Sequence, residues 1–390
     1  MTATATPGPR RPGIFRRVVM WWGGRPLAQL AVILLLVALL VLLAANVAAT
    51  MNRIGIVPGF DFLWRSTSFE IGESSISFTA SDPYIRAILV GLINTLKISL
   101  FGCVLATVLG VAVGVAGLSG NLLLASLVRC YVELIRNTPL LLQLFFWISL
   151  AKAFPAPRQA AAILGSVYLT NRGVYLPVVS IDGGSVFVVL IIAAYAAMLL
   201  ALAGMRRLNA RTAGIASLLA LVTAVTLFQV QGATLVFDVP ALSGFNIRGG
   251  YNLTPEFAAL LTGLVVKFSA AIAEIVRAGI QSVNRGQWEA ARALGLHGGQ
   301  IMRLIVLPQA LRVITPMTTS SYLDLTKDSS LAVAIGYPDL VSIVNTTANT
   351  TGQSLEALMI LIGTYLGINL FVSALMNQYN KRVALKGTTR

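Results

Sequence analysis

Residues Gly286–Pro316 read GQWEAARALGLHGGQIMRLIVLPQALRVITP. Glu289 to Leu294 is rich in alanine, the strongest helix former. Gly295 then stands where a helix closes through a left-handed residue. A second amphipathic turn follows, with Ile301, Leu304 and Ile305 on one side. Pro308 and Pro316 mark the start of another helix and a kink within it. The stretch is polar and basic at its start and separates two long apolar runs. It therefore reads as two short helices at right angles on a membrane surface, shaped as a docking knob for another protein.

The rest of the chain supplies the membrane. It has 390 residues, of which 56% are hydrophobic and 11% charged, against about 25% charged in soluble domains. Such a chain cannot cover its surface in water. The net charge of +15, from 29 Lys+Arg against 14 Asp+Glu, would suggest nucleic acid in a soluble protein. Here the basic residues cluster between apolar runs, as cytoplasmic membrane loops do. Cys103 and Cys130 lie inside apolar runs and read as packing residues, and the single His297 builds no metal site. No G-x-x-x-x-G-K-[ST] phosphate loop is present, so the chain is expected not to hydrolyse ATP itself.

About 20 apolar residues cross a bilayer. Eight spans are predicted: Leu27–Ala48, Ile93–Leu118, Leu122–Leu150, Val186–Ala203, Ile215–Val230, Phe257–Val283, Ile314–Ile335 and Leu355–Ala374. The class is an all-α integral membrane protein. With both termini in the cytoplasm, Arg206, Arg207 and Arg211 fall inside, as do Arg285, Arg292, Arg303, Lys381 and Arg382. The organisation is then a basic cytoplasmic tail over 1–26, a first helix over 27–48, a periplasmic loop over 49–92, and a permease domain over 93–378. That domain contains inserted helices at about 186–230 and the cytoplasmic loop 284–308; a tail over 379–390 ends the chain. The segments Lys152–Gly184 and Gln231–Asn252 lie outside and show no long periodicity.

Glu289-Ala290-Ala291, three residues, Gly295, nine residues, then Ile305-x-Leu307-Pro308 resembles the EAA loop of the permease subunits of type I ABC importers. In that family the loop is the coupling helix, seated in a cleft of a separate ATP-binding subunit, which binds ATP and Mg; no cofactor is implied for this chain. Four more segments resemble the polar and general L-amino acid branch: Asn94–Leu100, Tyr131–Phe146, Ala273–Gly295 and Leu325–Gly336. The family core has five helices, so the resemblance covers spans two, three, six, seven and eight and leaves three as additions. It implies an amino acid importer in the bacterial inner membrane, with a periplasmic substrate-binding protein and a second, related permease chain as partners.

Ionisable residues inside spans are functional candidates. Glu133 and Arg136 are three apart and can pair on one helix face. Asn137-Thr138-Pro139 follows, where proline frees a backbone carbonyl, and Gln143 is read on the same face. Glu133 is either a structural ion pair or part of the pathway; Arg136 and Thr138 are assigned to the pathway. An amino acid zwitterion needs a cation and an anion. Arg136 or Lys327 fits its carboxylate and Asp328 its ammonium, with Ser329 beside them. The resemblance places RxTP and KDSS segments along the translocation pathway. Asp324, one turn away, either joins them or neutralises Lys327. Glu274 and Arg277 read as a structural pair. Lys267 departs from the family pattern and either faces the pathway or snorkels. A secondary transporter or channel working without an ATPase is the alternative; it accounts for the buried charges but not for the EAA spacing.

Overall fold

The computed structural model describes residues 26–55, 59–163, 165–182 and 234–384. The two spans expected between Val186 and Val230, and most of the N-terminal tail, lie outside the described residues. Helix α1 (Pro26–Ile54) holds the first apolar stretch, Leu27–Thr50, and none of that span is buried against the rest of the chain. Helix α2 (Tyr84–Ala116) starts nine residues before the expected Ile93. The reason is local: Pro83 sets an extended entry at φ −71°, and Arg86 reaches back to Asp82 at 2.9 Å across the first turn. The helix thus runs past the stretch that hydropathy marks.

The expected third span is two helices. Asn121 caps α3 (Leu122–Asn137) by accepting from the Leu123 and Leu124 N–H groups. Helix α4 (Leu140–Ala153) leaves it at 105°. Pro139 cannot donate, and the residue before a proline is forced out of the helical region; Thr138 accordingly sits at φ −96°, ψ 129°. The corner is a break within what the sequence reads as one span, Leu122–Leu150.

The described residues of the two segments expected outside form short antiparallel ladders. Strands β1 (Ala162–Ile163), β2 (Val167–Thr170), β3 (Gly173–Leu176) and β8 (Tyr251–Leu253) make one sheet in that order. Strands β4 (Val178–Asp182) and β5 (Thr234–Asp238) pair separately, with Asp182 opposite Thr234. Strands β6 (Ala241–Ser243) and β7 (Asn246–Arg248) form a third ladder.

Thr254 caps α5 (Pro255–Gln281), which is central to the bundle. Gly110 and Gly114 of α2 form a G-x-x-x-G seam on it, packing on Ile272, Ala273 and Val276; small residues let membrane helices approach this closely. Beyond α5 come α6 (Arg285–Ala293) and the single turn α7 (Gly298–Ile301). A π-helical turn over Met302–Val306 then runs directly into α8 (Leu307–Asp328). Pro308 comes directly after the π-helical turn inside this continuous helix, so its missing N–H falls where the regular ladder is already interrupted. The expected seventh span therefore begins at Gly298, and the second loop helix is its opening turn instead of a separate element. A 3-10 stretch over Ser329–Ile335 ends at Gly336, φ +83°. Helices α9 (Leu340–Thr351) and α10 (Ser354–Ala384) complete the bundle.

Among the described residues five helices are long and apolar enough to cross a membrane, and six spans result if α3 and α4 count as one. One core cluster joins Leu144, Leu264, Ile272, Val306, Ala310 and Leu325, tying α4, α5 and α8. A second joins Ala87 and Ile88 of α2 to Leu340, Ile343 and Val344 of α9.

Candidate functional site

The loop after α5 is built by capping. Asn284 accepts from the Gly286 N–H at 2.8 Å and starts α6. At the other end the Gly295 N–H donates to Arg292 O at 2.9 Å and the Leu296 N–H to Ala291 O at 3.2 Å. With Gly295 at φ +75° this is a Schellman closure. Ala291 is 1% exposed and packs in the main core, whereas Leu294 is 79% exposed. Glu289 and Ala290 face outward, Ile305 is half-buried, and Leu307 and Pro308 are exposed. The knob is thus fastened through Ala291 and presents Glu289, Ala290 and Leu294.

The corner between α3 and α4 is the second site. The last carbonyls of a helix lack intrahelical donors. Here Gln143 Nε2 donates to Ile135 O and Thr138 O, both at 3.0 Å. Lys267 Nζ on α5 donates to Ile135 O at 3.4 Å, Arg136 O at 3.2 Å and Thr138 O at 3.3 Å. A cation at a helix C-terminus meets the negative end of the macrodipole. Gln143 is buried, and it turns back on α3 from the far side of the corner instead of sharing a face with Arg136. Thr138 Oγ1 donates to Leu134 O at 2.7 Å.

Arg136 is exposed and lines, with Arg129, Glu133, Glu274, Arg277 and Gln281, a cavity of about 300 Å³ between α3 and α5 that the end of α2 closes at Gly114 and Gly117. That volume is at the lower end for small-molecule sites. Glu274 and Arg277 form the expected pair, at 2.6 and 2.9 Å through both carboxylate oxygens. Glu133 and Arg136 share the cavity, but the four ion pairs among the described residues do not include them. Asp324 and Lys327 stand 3.6 Å apart, both exposed, on the i,i+3 face. Asp328 is half-buried and lies within electrostatic reach of Lys267. Ser329 is fully buried and donates to Thr326 O at 2.8 Å. The structure therefore brings Arg136, Thr138, Gln143, Lys267 and Asp328 to one corner. It leaves Lys327 with Asp324.

A third polar cluster was missed from sequence. Lys97 of α2 pairs with Glu73 at 2.9 Å, their side chains 15% and 14% exposed. Lys97 also donates to the Tyr251 hydroxyl at 3.0 Å and lies 4.5 Å from the centre of the Phe257 ring. Thr254 donates to the other Glu73 oxygen, and Asn94 donates to Glu73 O and Pro338 O, each at 2.9 Å. A lysine within an apolar run was the available signal. Its partner Glu73, in an irregular segment, gave none. Tyr131, bonded to Ser269 at 2.7 Å, fastens α3 to α5 in the same unannounced way.

Comparison with known proteins adds to this geometry. A family model described as binding-protein-dependent transport system inner membrane component matches residues 201–385. The chain is 44% identical over 371 residues to the putative amino-acid ABC transporter permease protein YhdX of Escherichia coli (strain K12), covering 92% of this chain and 94% of that one. It is 41% identical over 365 residues to the general L-amino acid transport system permease protein AapQ of Rhizobium johnstonii, covering 92% and 91%. With the glutamate/glutamine/aspartate/asparagine transport system permease protein BztB of Rhodobacter capsulatus it shares 39% over 397 residues, covering 92% and 93%.

Proposed function

The chain belongs to the family of binding-protein-dependent transport system inner membrane components, and on that premise we propose that it is the membrane-spanning permease of an ATP-driven importer carrying amino acids. The observation that carries the reading is the way α6 is mounted. Ala291 is locked into the core while Leu294 stands clear of it. From Gly298 the chain then runs as one continuous helical element, through the π-helical turn and past Pro316, to Lys327 and Asp328. A displacement of the knob by a partner is passed to the far half of α8 as a rigid movement, which alternating access requires.

In this reading Glu289, Ala290, Gly295, Ile305, Leu307 and Pro308 form the coupling surface for a separate ATP-binding subunit, which holds ATP and Mg, and Ala291 anchors that surface from the core side. Arg136, Thr138 and Asp328 line the solute path at the α3–α4 corner. A periplasmic binding protein delivers the solute, a related permease chain completes the pathway, and both termini are cytoplasmic. The amino acid class is supported by the names of the three relatives.

The test is Leu294→Asp in the assembled importer, reconstituted in proteoliposomes. Amino acid uptake and binding-protein-stimulated ATPase activity should both fall at least tenfold while α-helical content is unchanged. Full uptake by that variant would sink the coupling role.

A further inference from the structure

The carbonyls of Ile135, Arg136 and Thr138 converge at the C-terminal end of α3, where Pro139 prevents the helix from continuing. Three carbonyl oxygens at the negative end of a helix are a cation site, with the geometry an ammonium group requires. The site already holds an ammonium, that of Lys267, brought across from α5. Asp328 and Arg136 are the charged residues whose fields act on Lys267, and its contact with Arg136 O lies on the exposed side of the corner. Gln143 supplies two further donors, but from the buried side. The open face of the cradle is therefore closed by Lys267 alone among the described residues.

We propose that Lys267 is a tethered stand-in for a cationic solute group: by filling the carbonyl cradle at the α3–α4 corner it excludes solutes with a second ammonium or a guanidinium. The solutes that remain are neutral and acidic amino acids. The proposal rests on the amino acid importer reading for the nature of the solute.

Two effects act in the same direction. The cradle is sterically occupied, so a lysine or arginine side chain finds no free carbonyls there. The fixed charge, beside Arg136, also repels an approaching cation, and it does so where lipid and protein screen it less than water would. Asp328 remains as the anionic group for the solute's own α-ammonium. Removing the Lys267 side chain uncovers Arg136 O and leaves Ile135 O and Thr138 O bonded from the buried side by Gln143, so an incoming cation gains on the open face what Lys267 had supplied.

The experiment measures equilibrium binding of radiolabelled arginine and glutamate to the complete purified importer in the absence of binding protein. The wild type should bind glutamate at least tenfold more tightly than arginine. Lys267→Ala should raise arginine affinity at least tenfold, and Lys267→Arg, which keeps the charge, should leave it as in the wild type. Should Lys267→Ala unfold, as judged by thermal denaturation, Lys267→Met keeps the stem and removes the charge, with arginine affinity expected to rise in the same direction. Arginine affinity unchanged within twofold in the neutral variant, or raised equally in Lys267→Arg, overturns the proposal; so does a wild type that does not prefer glutamate. Binding-protein-dependent uptake by the wild type is a separate readout, and its absence for every amino acid would overturn the importer reading itself.

Discussion

Gly114 of α2 lies so close to Ala273 of α5 that a Cβ on the glycine would fall 2.7 Å from the Ala273 carbonyl oxygen. Backbone cannot yield as a side chain does, so the seam tolerates no larger residue. Gly114→Ala is expected to destabilise the protein by about 1–3 kcal/mol, the usual cost of overpacking. Gly363→Ala on α10, where a Cβ meets nothing within 4 Å, is expected to be neutral or slightly stabilising. Thermal unfolding of both variants in one detergent makes the comparison; equal midpoints would refute the seam.

Gly295 poses a different question, because a Cβ there meets nothing within 4 Å and only its φ of +75° is demanding. Gly295→Ala should cost about 1–2 kcal/mol of left-handed strain. Gly295→Asn, which tolerates that region better, should cost less. The ordering Gly, Asn, Ala in stability, measured by denaturation, tests whether conformation rather than space governs the closure of α6.

Asp339 lies between the spans, fully buried, with Oδ1 accepting from the Ser342 N–H at 2.9 Å as the cap of α9. Burial pushes its carboxyl up to about 7. Between the unfolded value near 4 and that figure the folded protein holds a proton that the unfolded chain releases. Stability from this group is therefore fully present below pH 4 and is lost as pH rises through 7. Asp339→Asn keeps the cap and should flatten the stability profile over that window. A slope unchanged in the variant would assign it elsewhere.

Glu73 and Lys97 join the segment before α2 to the start of α5. Replacing either partner strands a half-dry charge, for about 2–3 kcal/mol, somewhat below the 3–5 of a fully buried pair. Glu73→Gln with Lys97→Met should cost less than the sum of the two single changes. Additive effects in that double-mutant cycle would mean that the pair contributes no coupling.

The long helices were legible because their signal is repeated along the whole element. The expected Phe257–Val283 and the observed Pro255–Gln281 differ by two residues at each end, and Leu355 lies one residue from the start of α10. The coupling loop was legible because alanine, asparagine and glycine act locally, each on its own few residues. Pro139 announced an interruption, but the carbonyls freed at the 105° turn are satisfied by Lys267, distant in sequence, and by Gln143 folding back. Nothing local in either residue encodes its partner. The same limit hid Glu73 and Tyr131, whose partners Lys97 and Ser269 are supplied by packing. Strands of two to five residues are too short for alternation to be read, although Thr170-Asn171-Arg172-Gly173 carries the glycine of a hairpin.

The β4–β5 ladder has a bearing on how such a chain is assembled from parts. Asp182 and Thr234 face each other across it, so neighbouring antiparallel strands, about 5 Å apart, bracket everything from 183 to 233. A two-residue Asn-Gly turn spans that gap. Joining Asp182 to Thr234 through it should yield a shortened permease whose α2, α5 and α8 pack as before; loss of folding on excision would show that the bracketed segment is integral to the bundle. A shortened chain that folds would mark the ladder as a seam, a place where the stretch of sequence between its two strands can be removed or exchanged while the strands themselves stay in register.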